Sequence, residues 1–259
     1  MDRMARAVTA ASARASPVRA LIDATNSLAD PARIRQLAVV QGYLFVRNLA
    51  PLTKVRQLRA DLLAQCARCG WLDNDAPRSQ AVAHVHAARS ATREALLELQ
   101  GDVQILQAFA TLRGEPAIVS VLEAVFGAPA RSGHGDVCRL AFPADLERTT
   151  KPHQDHFYTR GTAPLWTAWI PLGDCPPALG GLKVLPGSHS RGLLPHDGGA
   201  GEERFVEIDD DAAWAGMSFR AGDVLFVNAL TVHGARPNLT ANRIRLSVDY
   251  RYRPLVEAA

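Results

Sequence analysis

The sequence has no run approaching the roughly 20 consecutive apolar residues of a membrane span, which excludes a helical membrane protein. Its start carries Arg3, Arg6, Arg14 and Arg19 among alanines and lacks the apolar core of a signal peptide. A cytoplasmic protein is the simplest expectation, with an organellar transit peptide as the alternative. Cysteine is scarce: Cys66 and Cys69 form one CxxC, while Cys138 and Cys175 stand alone. No second CxxC completes a four-ligand structural zinc site, and the spacing is too sparse for a disulfide framework. Charge of one sign is also lacking. Against 29 Lys and Arg there are 26 Asp and Glu, too balanced for a nucleic-acid binder. No internal repeat is visible.

The first half reads as helices. Asp30 before Pro31 predicts an N-cap and a first helical residue for a helix over 30–41. A β-rich run at 42–47 predicts a first strand. Leu58, Leu62 and Leu63 fall at helical spacing in a segment running from Pro51 to about Cys69. Residues 71–90 are polar and irregular; His84 and His86 lie two apart there with no close carboxylate, so they are expected as surface or lid residues. Residues 91–113 and 115–127 predict two further helices, the second stopped by Gly127.

From about Ser132 the texture changes to short apolar runs broken by Gly, Pro, Asn and Asp, the pattern of a β barrel or sandwich. The runs are 137–142, 165–172, 181–185, 205–208, 223–227 and 243–252. Helices segregated from a sheet imply an α+β protein. We expect one domain over 1–259, with 1–131 as a mainly helical buttress and 132–253 as a β core carrying the site. The last strand alternates most clearly: Arg243, Arg245, Ser247, Asp249 and Arg251 interleave with Ile244, Leu246, Val248, Tyr250 and Tyr252. Alternate residues face opposite sides of a strand. The apolar face should pack on the helices, and the polar face should meet a wet pocket.

That pocket has a candidate chemistry. His153 and Asp155, two apart, point the same way from an extended segment, and His233 supplies a third ligand from a distant strand. Two histidines and one carboxylate leave three positions open on an octahedral iron(II). No His-Glu-x-x-His helix suggests zinc instead. His189 competes with His233, but it follows a Pro-Gly turn and has no Arg-bearing strand behind it. His156 would point away from the ligands if the segment is extended. A 2-oxo diacid on iron needs a fixed partner for its far carboxylate, and arginine offers a planar two-pronged donor. Arg243 is the expected clamp and Arg245 the alternative. Around the motif His156, Tyr158, Arg160 and Trp166, with His134 and Arg139 from the preceding strand region, are candidate substrate contacts.

KPHQDHFY (151–158), WTAWIPL (166–172), GGLKVLPGSHSRG (180–192), GDVLFVNALTVHGARPN (222–238) and RIRLSVDYR (243–251) together resemble the phytanoyl-CoA dioxygenase family of iron(II)/2-oxoglutarate oxygenases. The resemblance covers about residues 132–253. It implies a double-stranded β-helix, a cupin-like jelly-roll core, with helices packed on the larger sheet. It implies iron(II) on His153, Asp155 and His233, 2-oxoglutarate held by an Arg after the distal His, and ascorbate in a supporting role. The family's Arg four residues before a small strand residue matches Arg243 before Ser247, whereas an Arg-x-Ser pair would match Arg245. Trp169 matches an aromatic residue lining the cosubstrate pocket. The carboxylate of Asp155 separates this chain from halogenases of the same type, which carry a small residue there.

The function expected is hydroxylation of an unactivated C–H of a small molecule, with dioxygen consumed and succinate and CO2 as co-products. No side chain beyond the metal ligands is needed as an acid or base. The rivals are a non-catalytic cupin-like binding protein and a metal-dependent hydrolase. Substrate identity and oligomeric state are left open by the sequence, and neither a nucleic-acid nor a membrane partner is expected.

Overall fold

Residues Arg245–Pro254 form the longest strand, and the other elements are arranged around it. The computed structural model describes residues 18–132, 135–159, 164–198, 204–209 and 211–255. The helices are α1 (Pro31–Gln41), α2 (Leu52–Arg68), α3 (Ala87–Ser90), α4 (Arg93–Gln104), α5 (Gln107–Arg113), α6 (Pro116–Phe126) and α7 (Asp155–Thr159). The strands are β1 (Tyr43–Val46), β2 (Ala130–Ser132), β3 (Val137–Ala141), β4 (Trp166–Pro171), β5 (Leu182–Val184), β6 (Ala215–Gly216), β7 (Val224–Asn228), β8 (His233–Ala235) and β9 (Arg245–Pro254).

Two antiparallel sheets result. The larger runs β1-β7-β4-β9-β2, with β3 also on β9; the smaller runs β6-β5-β8. On β9 the strand period sorts the side chains as expected. Leu246, Val248, Tyr250 and Tyr252 join one core cluster with Leu58 and Leu62 of α2, Phe109 of α5 and Ile118 of α6. The Tyr250 and Tyr252 hydroxyls cross that core and donate to the carbonyls of Phe109 and Arg113. The opposite face of the larger sheet carries Phe45, Trp169, Leu225 and Val227, which pack against Leu182, Val184 and Ala215 of the smaller sheet. The order of layers is therefore helices, large sheet, small sheet.

The local signals hold where they are chemical. The Asp30 carboxylate accepts from the amides of Ala32 and Arg33, and α6 stops at Gly127 in the left-handed conformation. Residues 91–113 differ from expectation: they break at Ile105–Leu106 into α4 and α5, and the chain bends there by 72°. On one straight helix Leu99 and Leu112 would point about 140° apart at 3.6 residues per turn; the bend buries both. The run at 205–208 makes a single bridge, Phe205 to Asp197, in place of a strand. No described helix is long and apolar enough to cross a membrane.

Candidate metal centre

His153, Asp155 and His233 come together between the sheets, with their candidate ligand atoms all within 4.8 Å of one another. All three are buried. His233 opens β8, and the segment carrying His153 lies alongside it. Each histidine's Nδ1 meets the carbonyl two residues upstream: Lys151 at 2.8 Å for His153 and Thr231 at 2.9 Å for His233. A carbonyl only accepts, so Nδ1 carries the proton and Nε2 is left with its lone pair for a metal. Thr231 is itself tied down, since its hydroxyl donates to the Gly42 carbonyl at 2.7 Å. Gly42 cannot be larger. Its φ is +72°, and a Cβ there would stand 2.3 Å from His189 Nδ1 and 2.4 Å from Thr231 Oγ1.

The expectation that His153 and Asp155 share an extended segment is corrected. His153 is extended, but Asp155 starts the single turn α7. Its Oδ1 faces His153 Nε2 at 3.7 Å. Oδ1 also accepts from Arg251 Nη2 at 3.1 Å, and Oδ2 accepts from the Thr167 hydroxyl at 2.6 Å. Burial on its own would raise this carboxyl's pKa, but Arg251 and the two histidines hold it well below the usual carboxylate value. Burial, with His153 beside it, pushes the His233 imidazole down to about 4. At neutral pH the triad therefore offers a neutral His233 imidazole and an ionised carboxylate. These hard-to-borderline N and O donors suit a divalent first-row metal such as iron(II).

Beside the triad lies a cavity of about 10 Å³, lined by Arg139, Trp169, Arg245 and Asp249 among others. It adjoins a more open cleft of about 420 Å³ that shares Arg139, Thr150, Ala235 and Arg245 with it. Its walls hold a concentration of unmet hydrogen-bonding capacity. Among the described residues, Arg245 Nε and Nη1, Trp169 Nε1 and Asp249 Oδ1 in the walls, and Ser247 Oγ and Arg251 Nε further along β9, are buried and make no hydrogen bond. Such atoms are costly unless a ligand satisfies them. The other cations nearby are already engaged: Arg251 with Asp155, and Arg139 with Asp249 at 2.5 Å.

Arg243 does not line this cavity. Asn238 Nδ2 and the Thr240 hydroxyl both donate to the Arg243 carbonyl, and Arg243 bridges to Val82, so the chain is still in its turn there. Its side chain is exposed. The inward face of β9 begins at Arg245, which is only 4% exposed. Trp169 and Arg139 both line the cavity. Trp166 does not line it. It is one residue out of phase with Thr167 and Trp169, so it packs in the core against the helices. His156 is half-buried on α7, its amide on the Ala229 carbonyl, away from the cavity wall. Tyr158 is largely exposed, with its ring edge against His153 and its hydroxyl on the Arg204 carbonyl. His189 stands apart from the triad with Nε2 on the Val39 carbonyl. His84 and His86 are exposed. His134 and Arg160 lie outside the described residues.

Three partners of the triad were not expected from the sequence. Arg251 and Thr167 hold Asp155. Gln154, between two ligands and fully buried, donates to the Gly192 and Leu230 carbonyls and accepts from the Leu194 amide. The strand alternation could have found Arg251. Nothing in the local pattern marks Gln154.

Helices on one side of two antiparallel sheets, with a buried two-histidine, one-carboxylate triad between the sheets, define a cupin-like fold of the class that includes the 2-oxoglutarate-dependent oxygenases. Within that class the chain belongs to the phytanoyl-CoA dioxygenase (PhyH) family, whose model matches residues 39–247. Iron(II) and 2-oxoglutarate are that family's cofactors. A 1-deoxypentalenic acid 11-beta-hydroxylase of Streptomyces exfoliatus is 31% identical over 158 residues, 55% of this chain and 56% of the relative. The peroxisomal phytanoyl-CoA dioxygenase of Rattus norvegicus is 25% identical over 213 residues, 77% of this chain and 61% of the relative. The chain thus spans a little over half the length of these relatives. Among solved structures, the epimerase SnoN of nogalamycin biosynthesis, in complex with Fe3+, alpha ketoglutarate and nogalamycin RO, is similar with a TM-score of 0.61. It is 24% identical over 87% of this chain and 84% of that one.

Proposed function

We propose that the protein is an iron(II)/2-oxoglutarate-dependent dioxygenase that hydroxylates an unactivated C–H of a small molecule and releases succinate and CO2. The observation that carries this reading is the unsatisfied set Arg245, Ser247 and Trp169 beside a buried metal triad. His153, Asp155 and His233 would hold the iron. Arg245, with the Ser247 hydroxyl and Trp169 Nε1, would take the far carboxylate of 2-oxoglutarate. The charge pattern agrees, since each of the other two arginines facing the site has a carboxylate of its own. A five-carbon diacid exceeds a space of about 10 Å³, so its entry requires side chains around Arg245 to shift. Buried groups with no partner lose little by moving.

Iron and 2-oxoglutarate supply the oxidising chemistry; the chain supplies geometry and exclusion of water. The two Nδ1–H···O=C bonds fix which nitrogen each imidazole presents, and Thr167 and Arg251 fix the carboxylate. Asp155 fills the place that a halide would need, which favours hydroxylation over halogenation. We read the paired sheets as a double-stranded β-helix and the helical and β parts as one oxygenase domain. In support, Leu58 of α2 and Val248 of β9 share one core cluster. The substrates named for the relatives, an acid and an acyl-CoA, are consistent with a small-molecule substrate.

The test is spectroscopic first. Anaerobic protein with iron(II) and 2-oxoglutarate should develop a weak visible charge-transfer band, and admitting oxygen should then yield succinate. A protein that binds neither, or that binds iron but gives no band and no succinate across a substrate library, is a binding protein or a hydrolase instead.

A further inference from the structure

Arg251 lies outside the residues usually counted at such a centre, yet it is 8% exposed and its guanidinium touches the metal carboxylate. We propose that Arg251 is the positioning residue of Asp155, and that it ties the metal centre to the helical layer through a line of contacts running by way of Asp136 to Arg113. This inference rests on the triad being a metal site.

The chain of contacts is continuous. Arg113, the last residue of α5, meets Asp136 Oδ2 at 3.3 Å. Asp136 Oδ1 accepts the backbone amide of Arg251 at 2.8 Å. Arg251 Nη2 then donates to Asp155 Oδ1 at 3.1 Å. Asp136 and Asp155 are 5% and 2% exposed, so water does little of the solvation that either carboxylate needs. Asp136 is held by the Arg113 guanidinium and the Arg251 amide, Arg251 in turn holds Asp155, and that last carboxylate is left aimed at the histidines.

Two opposing effects follow for a bound metal. A guanidinium beside the ion repels it and draws electron density from Asp155, which weakens binding. The same guanidinium stops the buried carboxylate turning about its own axis, which strengthens binding. Without Arg251, among the described residues, the Thr167 hydroxyl would be the hydrogen-bond donor left on the Asp155 carboxylate, on the oxygen turned away from His153. A buried carboxylate that has lost its charge partner rotates toward another donor. Orientation therefore outweighs repulsion. Loss of a partner behind a metal ligand typically costs about 10–100-fold in metal affinity, and we expect Arg251 to lie in that range.

The experiment is a cobalt(II) titration of chelator-stripped protein, read by the visible d–d bands, for wild type, Arg251→Lys, Arg251→Met and Asp136→Asn. The expected order of affinity is wild type, then Lys, then Met, with a loss of about 10–100-fold for Met and d–d bands altered in the same order. Asp136→Asn touches no metal ligand and keeps an oxygen for the Arg251 amide, but it withdraws the negative charge facing Arg113 and Arg251, and should weaken cobalt binding several-fold by loosening Arg251. Thermal unfolding of each stripped variant establishes that it is folded; if Arg251→Met is not, the Lys and Asn variants decide. Equal affinities and unchanged bands in the folded variants overturn the proposal. A wild type that binds no cobalt overturns the metal reading of the triad instead, so the two failures are distinguishable.

Discussion

His153 and His233 hold each other by their backbones: His153 N donates to His233 O at 2.9 Å, and His233 N donates to His153 O at 3.0 Å. Two ligands far apart in the chain are thus one antiparallel pair, with ring centroids 4.4 Å apart. The spacing of the two ligands is set by main-chain bonds that no side-chain substitution removes. His233→Ala should accordingly keep its far-UV circular dichroism while losing metal binding. In the wild type, metal at a hundred times its dissociation constant should add about 2.7 kcal/mol of stability. At about 2–4 °C per kcal/mol for a chain somewhat smaller than this one, chelation should lower Tm by roughly 5–10 °C. The same chelation should leave His233→Ala unmoved, and an equal shift in both proteins would place the metal elsewhere.

Arg245, which opens β9, and Arg243, in the turn before it, are separable by kinetics. Arg245→Met should raise the dissociation constant and KM for 2-oxoglutarate by roughly tenfold to a hundredfold, since a charge-assisted hydrogen bond contributes about 1.5–3 kcal/mol. Arg243→Met should leave both within about twofold, because its side chain is exposed. Titration of the anaerobic charge-transfer band measures this directly. The reverse ranking would restore Arg243 as the clamp.

His233 also predicts an acid limit. Its imidazole titrates near 4 in the folded metal-free protein, against an ordinary 6.5. Between those values the unfolded chain binds the extra proton, so stability is fully present above about pH 6.5 and is lost as pH falls toward 4. At 1.36 kcal/mol per unit the loss amounts to roughly 3 kcal/mol. Asp155, held below the ordinary carboxylate value, retains its contribution throughout that window and loses it only at lower pH. Urea midpoints of stripped wild type and His233→Gln between pH 7.5 and 4.5 provide the comparison. Identical slopes for the two proteins contradict the assignment.

Gln154→Leu should destabilise the protein by roughly 2–4 kcal/mol, because it strands two carbonyls and an amide that its side chain now satisfies. Metal affinity should fall as well, since Gln154 sets the backbone between two ligands. Denaturant unfolding within about 1 kcal/mol of wild type would show that the network relaxes without it.

The β half and the triad were legible because their signals are periodic or chemical. Alternation from Ile244 to Tyr252 predicted a two-faced strand, and Asp30 and Gly127 predicted helix ends by their side-chain and backbone chemistry. What was not legible depends on three-dimensional neighbours. Strands of two or three residues, such as β6 and β8, are too short to show a period. The bend at Ile105–Leu106 is imposed by what α4 and α5 must bury. Trp166 and Trp169 look alike in sequence, and only the register of β4 against β9 sends one to the helices and the other to the cavity. Arg243 was misplaced for a related reason: alternation was extended backwards into a turn that the Asn238 and Thr240 side chains hold in shape.

Arg245 and Arg251 stand on the same strand, whereas His233 reaches the site from the other sheet through a turn that ends only where β9 begins. The interval between the proposed cosubstrate clamp and the carboxylate's arginine is therefore a ruler with a fixed scale of about 3.4 Å per residue. Lengthening or shortening the turn at 236–244 leaves that ruler unchanged, so this turn is a natural place for grafted segments or labels. A two-residue slip of β9 against β4 would instead displace both arginines by about 7 Å, disabling cosubstrate binding and the metal carboxylate in one event.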